Sequence, residues 1–355
     1  MTTEPEVLDE KHPLLAYTIE KLAQRRFPTP DLARVVDRIA LLHESVTVRK
    51  DSSLPLGPSN RLHTTCLAVT APTFHGKTYS MDAAIESLTP VAVGDGQVIQ
   101  KKILRYKCTP NASVGAFLNG LLRHAGYPAN RDLPPGVAAS RIAAHFQQEQ
   151  FTLLAIDEFQ WAINPAASPG RSREQDENLV WNTLHSIIDN VEWSTPTVVN
   201  GLPGIVDSLN HDTAERAAIR SRFDVMSMAS MTIGHAKDAK DIVDLYCKDV
   251  GVTVAIHSDF VLGKRLTHAS NYTLGIVLRL ARLAIARAAL RPDRTLTAKD
   301  FVDAYATKTG CRLQANPFHA DDWPQIDPTL LMAQTADQRR TDKAEKVDEP
   351  RRSRK

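Results

Sequence analysis

The segment Ala71–Thr78 has the residue types of a loop that binds a triphosphate. It reads Ala-Pro-Thr-Phe-His-Gly-Lys-Thr and follows the apolar run Leu67–Thr70. A glycine before the lysine lets backbone N–H groups close around phosphate oxygens, Lys77 can bridge the β- and γ-phosphates, and Thr78 can offer a hydroxyl to Mg²⁺. A helix that begins here would also direct its first N–H groups at the anion. The pattern predicts a site for ATP and Mg²⁺, against the alternative of a chance Gly-Lys-Thr in a loop.

Ala71 departs from the usual pattern, because the first position of such a loop is commonly glycine. We expect the alanine to strain the first turn slightly and to leave the phosphate contacts intact. Phe74 and His75 are expected to fill the loop rather than to take part in chemistry. The residues predicted to contact the nucleotide are Pro72, Thr73, Phe74, His75, Gly76, Lys77, Thr78 and Tyr79.

Two carboxylates, Asp157 and Glu158, end a second apolar run, Phe151–Ile156. Open α/β sheets bind their ligands at the carboxyl ends of the strands, where these side chains are expected. Asp157 would hold Mg²⁺ through water, and Glu158 would orient and polarise the attacking water. A solvated acidic turn is the alternative for this motif alone. The order of the two motifs, about eighty residues apart, favours a catalytic pair.

Asn200 ends a third buried run, Thr197–Asn200. In a sheet of this order the amide would lie beside the γ-phosphate and help position the water. Because Gly201 follows, ordinary turn chemistry is the alternative.

Three arginines, Arg216, Arg220 and Arg222, lie at a predicted helix end just before the last strand. An arginine there can reach across a subunit boundary and neutralise charge in the transition state. The alternative is a helix C-terminus that favours cations. Arg222 and Arg220 are the preferred candidates for such a finger.

Alternating strand and helix signals surround these residues. The predicted strands are 65–70, 98–107, 151–156, 196–199 and 223–228, with helices at 77–87, 114–125, 136–148, 178–191 and 213–219. Short β-rich runs separated by helices predict an α/β fold with a parallel sheet covered on both faces. After about residue 233 the pattern is helical, with predicted helices at 236–249, 259–269, 273–290 and 298–308.

These elements predict four regions. They are an N-terminal helical extension and connector (1–60, with helices at 14–25 and 29–43), an ATPase core (61–232), a helical lid (233–320) and a charged, disordered tail (321–355). The insertion 164–177 is predicted to be a mobile loop.

The composition is that of a globular protein. Of 355 residues, 43% are hydrophobic and 24% charged, and the net charge of +2 permits a nucleic-acid partner without arguing for one. The four cysteines are far apart, which disfavours a zinc site or a disulfide framework and predicts a cytoplasmic protein. The N-terminus lacks the apolar core of a signal peptide. The apolar stretch Thr273–Leu290 carries three arginines, which predicts an amphipathic helix and no membrane partner.

The order of these motifs resembles that of AAA+ ATPases: strand, Gly-Lys-Thr, helix, strand with Asp-Glu, strand with Asn, an Arg-rich helix end and a helical lid. More narrowly, the chain resembles the TniB/TnsC-type ATPases of bacterial transposons, over roughly residues 30–310. The resemblance rests on RLHTTCLAVTAPTFHGKT, RYKCTPNASVGAFLNGLLRHAGYP, LLAIDEFQ, TPTVVNGLPG and RSRFD.

This resemblance implies an ATP-dependent homo-oligomer, a ring or a filament, on double-stranded DNA. Such an assembly would recruit a transposase and a target-selection protein, and ATP turnover would disassemble it. Repeated Lys and Arg contacts along one groove would let a nearly neutral protein bind DNA. The candidate DNA-binding residues are Lys101, Lys102, Arg105, Lys107, Thr109, Asn111, Arg171 and Arg173. For any one of them, a solvated surface position is the alternative.

The lid departs from the family pattern. Its arginines come later in the chain than Asn271–Gly275, so the pattern does not assign a sensor-2 arginine. Arg279 and Arg282 are the candidates, or they form only the polar face of a helix. Other functions stay open: a helicase-loader or replication-initiation ATPase, a monomeric P-loop kinase, and a nucleotide-binding scaffold with negligible hydrolysis. The Arg220/Arg222 cluster and the helical lid count against a kinase, and Glu158 counts against a scaffold.

Overall fold

The computed structural model describes residues 12–57, 60–62, 64–92, 98–166, 170–211 and 213–329. The chain forms two compact units. The central unit is the continuous stretch 28–229, and the flanking unit combines residues 12–27 with residues 230–329.

The helices and strands are these, in chain order. They are α1 (His12–Ala23), α2 (Pro30–Ser45), β1 (Cys66–Thr70), α3 (Lys77–Ser87), β2 (Val91–Ala92), β3 (Val98–Ile99), β4 (Ile103–Lys107), α4 (Val114–His124), α5 (Pro135–Glu149), β5 (Leu153–Asp157), α6 (Gln160–Ile163), α7 (Arg173–Ile188), β6 (Thr197–Gly201), α8 (Gly204–Leu209), α9 (Ala214–Arg220), β7 (Phe223–Ser227), α10 (Ala236–Val250), β8 (Thr253–Val254), α11 (Leu262–Ala269), α12 (Leu274–Ala289), β9 (Thr295–Leu296) and α13 (Ala298–Thr309).

A parallel five-stranded sheet in the order β4-β5-β6-β1-β7 forms the middle of the central unit. Every residue of β1, β5 and β6 is buried. Alternate side chains of these strands enter two different apolar clusters: Ala68 and Ile156 lie in one, Leu67 and Ala155 in the other. This two-residue period means that helices cover both faces, as the continuous apolar runs predicted. All five strands point the same way, so their carboxyl ends meet at one edge of the sheet.

Helix α7 begins earlier than the sequence predicted. Ser172 accepts a hydrogen bond from the backbone N–H of Gln175, whose side chain accepts from the backbone N–H of Ser172, so a capping box starts the helix at Arg173. The predicted mobile loop 164–177 is therefore wrong for its last five residues. Residues 167–169 lie outside the described residues. The loop was predicted from the polar composition of this segment, and the capping signal at Ser172 and Gln175 was not recognised.

The predicted strand 98–107 is also wrong in extent. It forms two strands, since β3 pairs antiparallel with β2 while β4 joins the main sheet beside β5. Lys101 and Lys102 lie between them and not on a strand. The short helices α6 and α8 were not predicted.

The flanking unit is a helical body with its own apolar core, built from α1 and α10–α13. Leu22 of α1 is 1% exposed, and the ring of Phe27 meets that of Tyr246 edge-on at 5.1 Å between centroids. The structure thus differs from the predicted extension 1–60, because the first helix packs with the C-terminal helices and the chain divides after Phe27.

Residues 321–329 are ordered, contrary to the predicted disordered tail from residue 321. The buried guanidinium of Arg265 donates hydrogen bonds to the carbonyl oxygens of Pro317 (2.6 Å) and Ala320 (2.7 Å) and lies 5.6 Å from the ring centre of Trp323. The prediction for residues 330–355 lies outside the described residues. Within the described part of the chain, no helix has the length and apolar character needed to cross a bilayer.

Candidate functional site

The loop between β1 and α3 lies at the carboxyl edge of the sheet. Gly76 has φ +83°, and a Cβ built there would meet nothing within 4 Å, so the backbone is open on this side. Phe74 also has a positive φ, 67°, at a position where glycine would be free of strain. Ala71 keeps an ordinary negative φ, is 2% exposed, and donates its backbone N–H to the carbonyl oxygen of Gly201 at 3.2 Å. The expected strain at Ala71 is therefore absent, since its backbone conformation suits alanine.

Lys77 is held inside this loop. Its ammonium group donates to the carbonyl oxygens of Ala71 and Pro72, both at 2.8 Å. Burial lowers the pKa of Lys77, while the carboxylates of Glu158 and Asp157 act in the opposite direction. A buried cation that uses backbone carbonyls as partners favours an added anion at short range.

Thr78 and Asp157 join the two predicted motifs. The Thr78 hydroxyl lies 2.9 Å from Oδ2 and 3.2 Å from Oδ1 of Asp157, which is 0% exposed. The backbone N–H of Glu158 also donates to Asp157 Oδ1 at 2.9 Å. Within the described ranges no three His, Cys, Asp or Glu side chains form a group able to hold a metal ion. One hydroxyl and one carboxylate fit Mg²⁺, which keeps several waters and takes further oxygens from a bound phosphate.

Asn200 supplies a buried polar atom without a partner. Its side chain is 0% exposed, its Nδ2 lies 3.9 Å from the sulfur of Met81, and its Oδ1 accepts no hydrogen bond from the residues that the structure describes. The β1–β6 register places Asn200 beside Val69, one residue before the end of β1. An orphaned acceptor at this edge suits a water molecule beside the phosphates, because a buried acceptor without a partner is costly.

The structure thus brings Lys77, Thr78, Asp157, Glu158 and Asn200 to one edge of the sheet. Glu158 has φ 56°, a left-handed conformation, directly after β5. Of the other predicted loop residues, Phe74 and Tyr79 are more than one third exposed, whereas His75 is buried. Burial is the main cause of the lowered pKa of His75.

The arginines before β7 lie elsewhere. The carbonyl oxygen of Arg222 accepts from the N–H of Cys66, the first residue of β1, at 2.8 Å. It therefore lies at the amino edge, about 13 Å along the strand from the carboxyl edge. Arg222 pairs with Asp189 at 2.8 Å. Arg220 donates to Asn210 Oδ1 at 3.0 Å and to the carbonyl oxygen of Phe223 at 2.6 Å.

Arg216 is part of the interior. It is 3% exposed, donates to Asn178 Oδ1 at 2.6 Å, and lies 5.3 Å from the ring centre of Trp181. Packing and hydrogen bonding thus occupy this arginine. Arg279 and Arg282 lie on α12 in the flanking unit.

Several candidate DNA-binding residues have partners inside the chain. Lys101 donates to the carbonyl oxygens of Ile85 and Leu88 at the end of α3, Lys102 pairs with Glu149, and Arg105 pairs with Asp82 at 2.7 Å. Arg171 pairs with buried Asp176 at 2.5 Å. Lys107, Thr109, Asn111 and Arg173 are exposed, as is the ion-paired Arg105.

Gln160 also lies at this edge and was not predicted as a site residue. Its amide Nε2 donates to Glu158 Oε2 at 2.5 Å. The position two residues after the glutamate was the available signal for this contact, whereas the second contact, from the Leu202 N–H to Gln160 Oε1, depends on how β5 and β6 are placed side by side.

The family model described as Bacterial TniB protein matches residues 55–232. The chain is similar to the ORC2 protein of Aeropyrum pernix, solved with ADPNP and ADP, with 12% identity, a TM-score of 0.51, and 81% of this chain and 71% of that chain covered. It is also similar to the Aeropyrum pernix ORC1 protein in complex with DNA, with 15% identity, a TM-score of 0.46, and 88% and 71% covered. The first likeness bears on the fold only, and the second is too distant to support an argument. No curated protein matches the sequence.

Proposed function

The chain belongs to the TniB family and has the AAA+ ATPase fold, and from this premise we propose that it hydrolyses ATP and uses ATP to assemble on double-stranded DNA during transposition. In this proposal the assembly links a transposase to a target-selection protein. One observation carries the proposed chemistry: the contact of 2.9 Å between the Thr78 hydroxyl and the buried carboxylate of Asp157, next to Lys77.

Each residue at this edge has a proposed task. The backbone N–H groups of the Gly76 turn and the first turn of α3 bind the phosphate oxygens, and Lys77 exchanges its carbonyl partners for the β- and γ-phosphates. Thr78 and Asp157 hold Mg²⁺. When bound, Mg²⁺ neutralises charge on the phosphates. Glu158 orients and polarises the attacking water.

Asn200 completes the proposed water site, since its Oδ1 is a buried acceptor that has no hydrogen-bond partner among the described residues. Arg220 and Arg222 lie at the opposite edge of their own sheet, so a role as arginine finger requires the site of a second copy. In such an assembly, either arginine would have to leave its present partner.

The hydrolysis is tested with Glu158→Gln. We expect this variant to bind ATP as the wild type does and to lose about 100-fold or more in turnover, because the amide cannot polarise water. Glu192→Gln is the matched control, since Glu192 is exposed in a turn far along the chain from the loop. Turnover by Glu158→Gln at the rate of the control would remove Glu158 from the mechanism, and absence of turnover in the wild type would overturn the proposed ATPase.

Assembly and DNA binding are tested by sizing the protein with and without an ATP analogue and duplex DNA. We expect large species only when both are present. Lys107→Ala and Arg173→Ala should weaken DNA binding and each reduce the slope of log K against log salt by about 1 if the residue contacts a phosphate. A single monomer under all conditions would refute assembly.

The linking role is tested by co-sedimentation of a transposase with the DNA-bound protein. We expect the transposase to sediment only with ATP-loaded assemblies and to be released after turnover. The same recovery with ADP would contradict an ATP-dependent link. Recovery of a replicative helicase in place of the transposase would favour the helicase-loader alternative.

A further inference from the structure

The side chain of Gln160 spans the gap between Glu158 and the segment that follows β6. Its Nε2 donates to Glu158 Oε2 at 2.5 Å, and its Oε1 accepts from the backbone N–H of Leu202 at 3.2 Å. Both ends of the amide are thus in use, and both partners lie next to residues of the candidate site. Leu202 follows Asn200 by two residues, and Glu158 follows Asp157.

Gly201 makes room for this amide. A Cβ at Gly201 would lie 2.2 Å from Gln160 Oε1, 2.7 Å from Ile205 Cδ1 and 3.3 Å from the backbone nitrogen of Gln160. The two shorter distances are to side-chain ends that can move, so a Cβ here would displace the Gln160 amide and the Ile205 side chain from their present positions. Gly201 has no positive φ, so a substitution here acts through the space that the Gln160 amide occupies and not through backbone strain.

Backbone bonds hold the same three segments together. The N–H of Phe159 donates to the carbonyl oxygen of Asn200 at 2.9 Å, and the N–H of Ala71 donates to the carbonyl oxygen of Gly201 at 3.2 Å. The first residue of the phosphate loop, the end of β6 and the start of α6 therefore form one connected unit. Within it, the Gln160 amide is the side-chain link that reaches the Glu158 carboxylate.

Glu158 needs such a link because of its position. It is the first residue after β5 and has a left-handed backbone conformation. A glutamate has three side-chain torsions, and water activation requires one oxygen to be held within hydrogen-bond reach of the nucleophile. Because Gln160 holds Oε2, the orientation of the other carboxylate oxygen, Oε1, is restricted as well.

Resting on the proposed ATPase function, we propose that Gln160 is a positioning residue for hydrolysis. Its amide fixes the Glu158 carboxylate and ties it to the backbone just after Asn200, so that the water-polarising group and the water-positioning group move together. A nucleotide-dependent shift of β6 would reach Glu158 through this amide.

A purely structural role for Gln160 predicts a different result. If the amide only stabilised the α6 region, its loss would lower stability and ATP binding together. A positioning role predicts that ATP affinity is retained while turnover falls, because the ground-state nucleotide does not depend on the orientation of Glu158.

The test compares Gln160→Ala, Gln160→Glu and the control Gln148→Ala, an exposed glutamine on α5. We expect Gln160→Ala to keep its affinity for Mg·ATP within about twofold and to lose about 10- to 100-fold in kcat, the range for a misplaced catalytic group. Gln160→Glu keeps an acceptor for the Leu202 N–H but lacks the donor for Glu158. It should therefore lose kcat as Gln160→Ala does, whereas a role limited to the Leu202 contact would leave its kcat intact.

Two double variants test whether Gln160 acts through Glu158 and whether Gly201 acts through Gln160. In the Glu158→Gln background, Gln160→Ala should cause no further loss of kcat, because the group it positions is already inactive. Gly201→Ala displaces the amide, so as a single change it should lower kcat. Combined with Gln160→Ala, it should cause little further loss of kcat. Its melting temperature checks that the variant folds. Wild-type turnover in Gln160→Ala would overturn the positioning role and leave the proposed ATPase standing. Absence of turnover in the wild type would overturn both.

Discussion

The contact between Thr78 and Asp157 gives the sharpest prediction, through Thr78→Val. Valine has nearly the shape of threonine but removes the hydroxyl that lies 2.9 Å from Oδ2 of Asp157. A hydrogen bond to a charged group contributes about 1.5–3 kcal/mol, and water cannot replace this donor because Asp157 is 0% exposed. We therefore expect the free energy of unfolding of the central unit to fall by about 2–3 kcal/mol without nucleotide.

The assay has two arms. Urea unfolding without nucleotide measures the stability, and ATP binding with Mg²⁺ or with a chelator measures the metal contribution. Thr78→Ser keeps the hydroxyl and is the matched control, so it should unfold close to the wild type and keep the gain in ATP affinity from Mg²⁺. Thr78→Val should lose most of that gain. Wild-type urea stability together with an undiminished Mg²⁺ effect in Thr78→Val would refute the assignment of this pair.

Two other changes test the packing and the titration of the fold. Gly263→Ala places a Cβ 2.0 Å from the backbone oxygen of Ala236 and should lower the free energy of unfolding by about 2–3 kcal/mol or more. In Gly136→Ala on α5 the new Cβ meets no described atom within 4 Å, so this change should raise the free energy of unfolding by about 0.5–1 kcal/mol. Urea unfolding measures both. Burial lowers the pKa of His43 below 6.5, so the unfolded chain binds more protons as the pH falls through this window and the free energy of unfolding falls with it. Unfolding at about pH 7.5 and about pH 5.5 should show a smaller decline for His43→Gln than for the wild type, and equal declines would contradict this account; His75 adds its own decline to both proteins.

The sequence predicted the central elements of the site because local chemistry marks them. A glycine, lysine and threonine after an apolar run, and two carboxylates after another, can be recognised without any knowledge of contacts. The α/β class followed from the same runs, and the family match and the likeness to ORC2 confirm it. The parallel sheet then brings Thr78 and Asp157 together as the strand directions require.

The role of Gln160 was not predicted because it depends on a tertiary contact. Its Oε1 accepts from the backbone N–H of Leu202, which lies 42 residues further along the chain, and the placement of β6 beside β5 brings the two together. The same reason applies to the basic residues before β4, since Lys102 meets Glu149 at a separation of 47 residues. A count of positive charges in the sequence does not show which of them already have partners.

The division of the chain also depended on long-range packing. The break at Phe27–Pro28 was visible as the end of a helix, but nothing local indicates that Leu22 of α1 packs in one core with helices more than 200 residues away along the chain. The roles of Arg220 and Arg222 stay predictions, because a finger acts on the site of a second copy.

The return of the N-terminal helix to the C-terminal body affects how truncations will behave. A deletion of the first 27 residues removes Leu22 and Phe27 from the core that surrounds Tyr246. It would therefore destabilise the C-terminal helices. Residues 28–229, in contrast, form an uninterrupted stretch of the chain. The helical body could be made as a single chain only by joining residue 27 to residue 230.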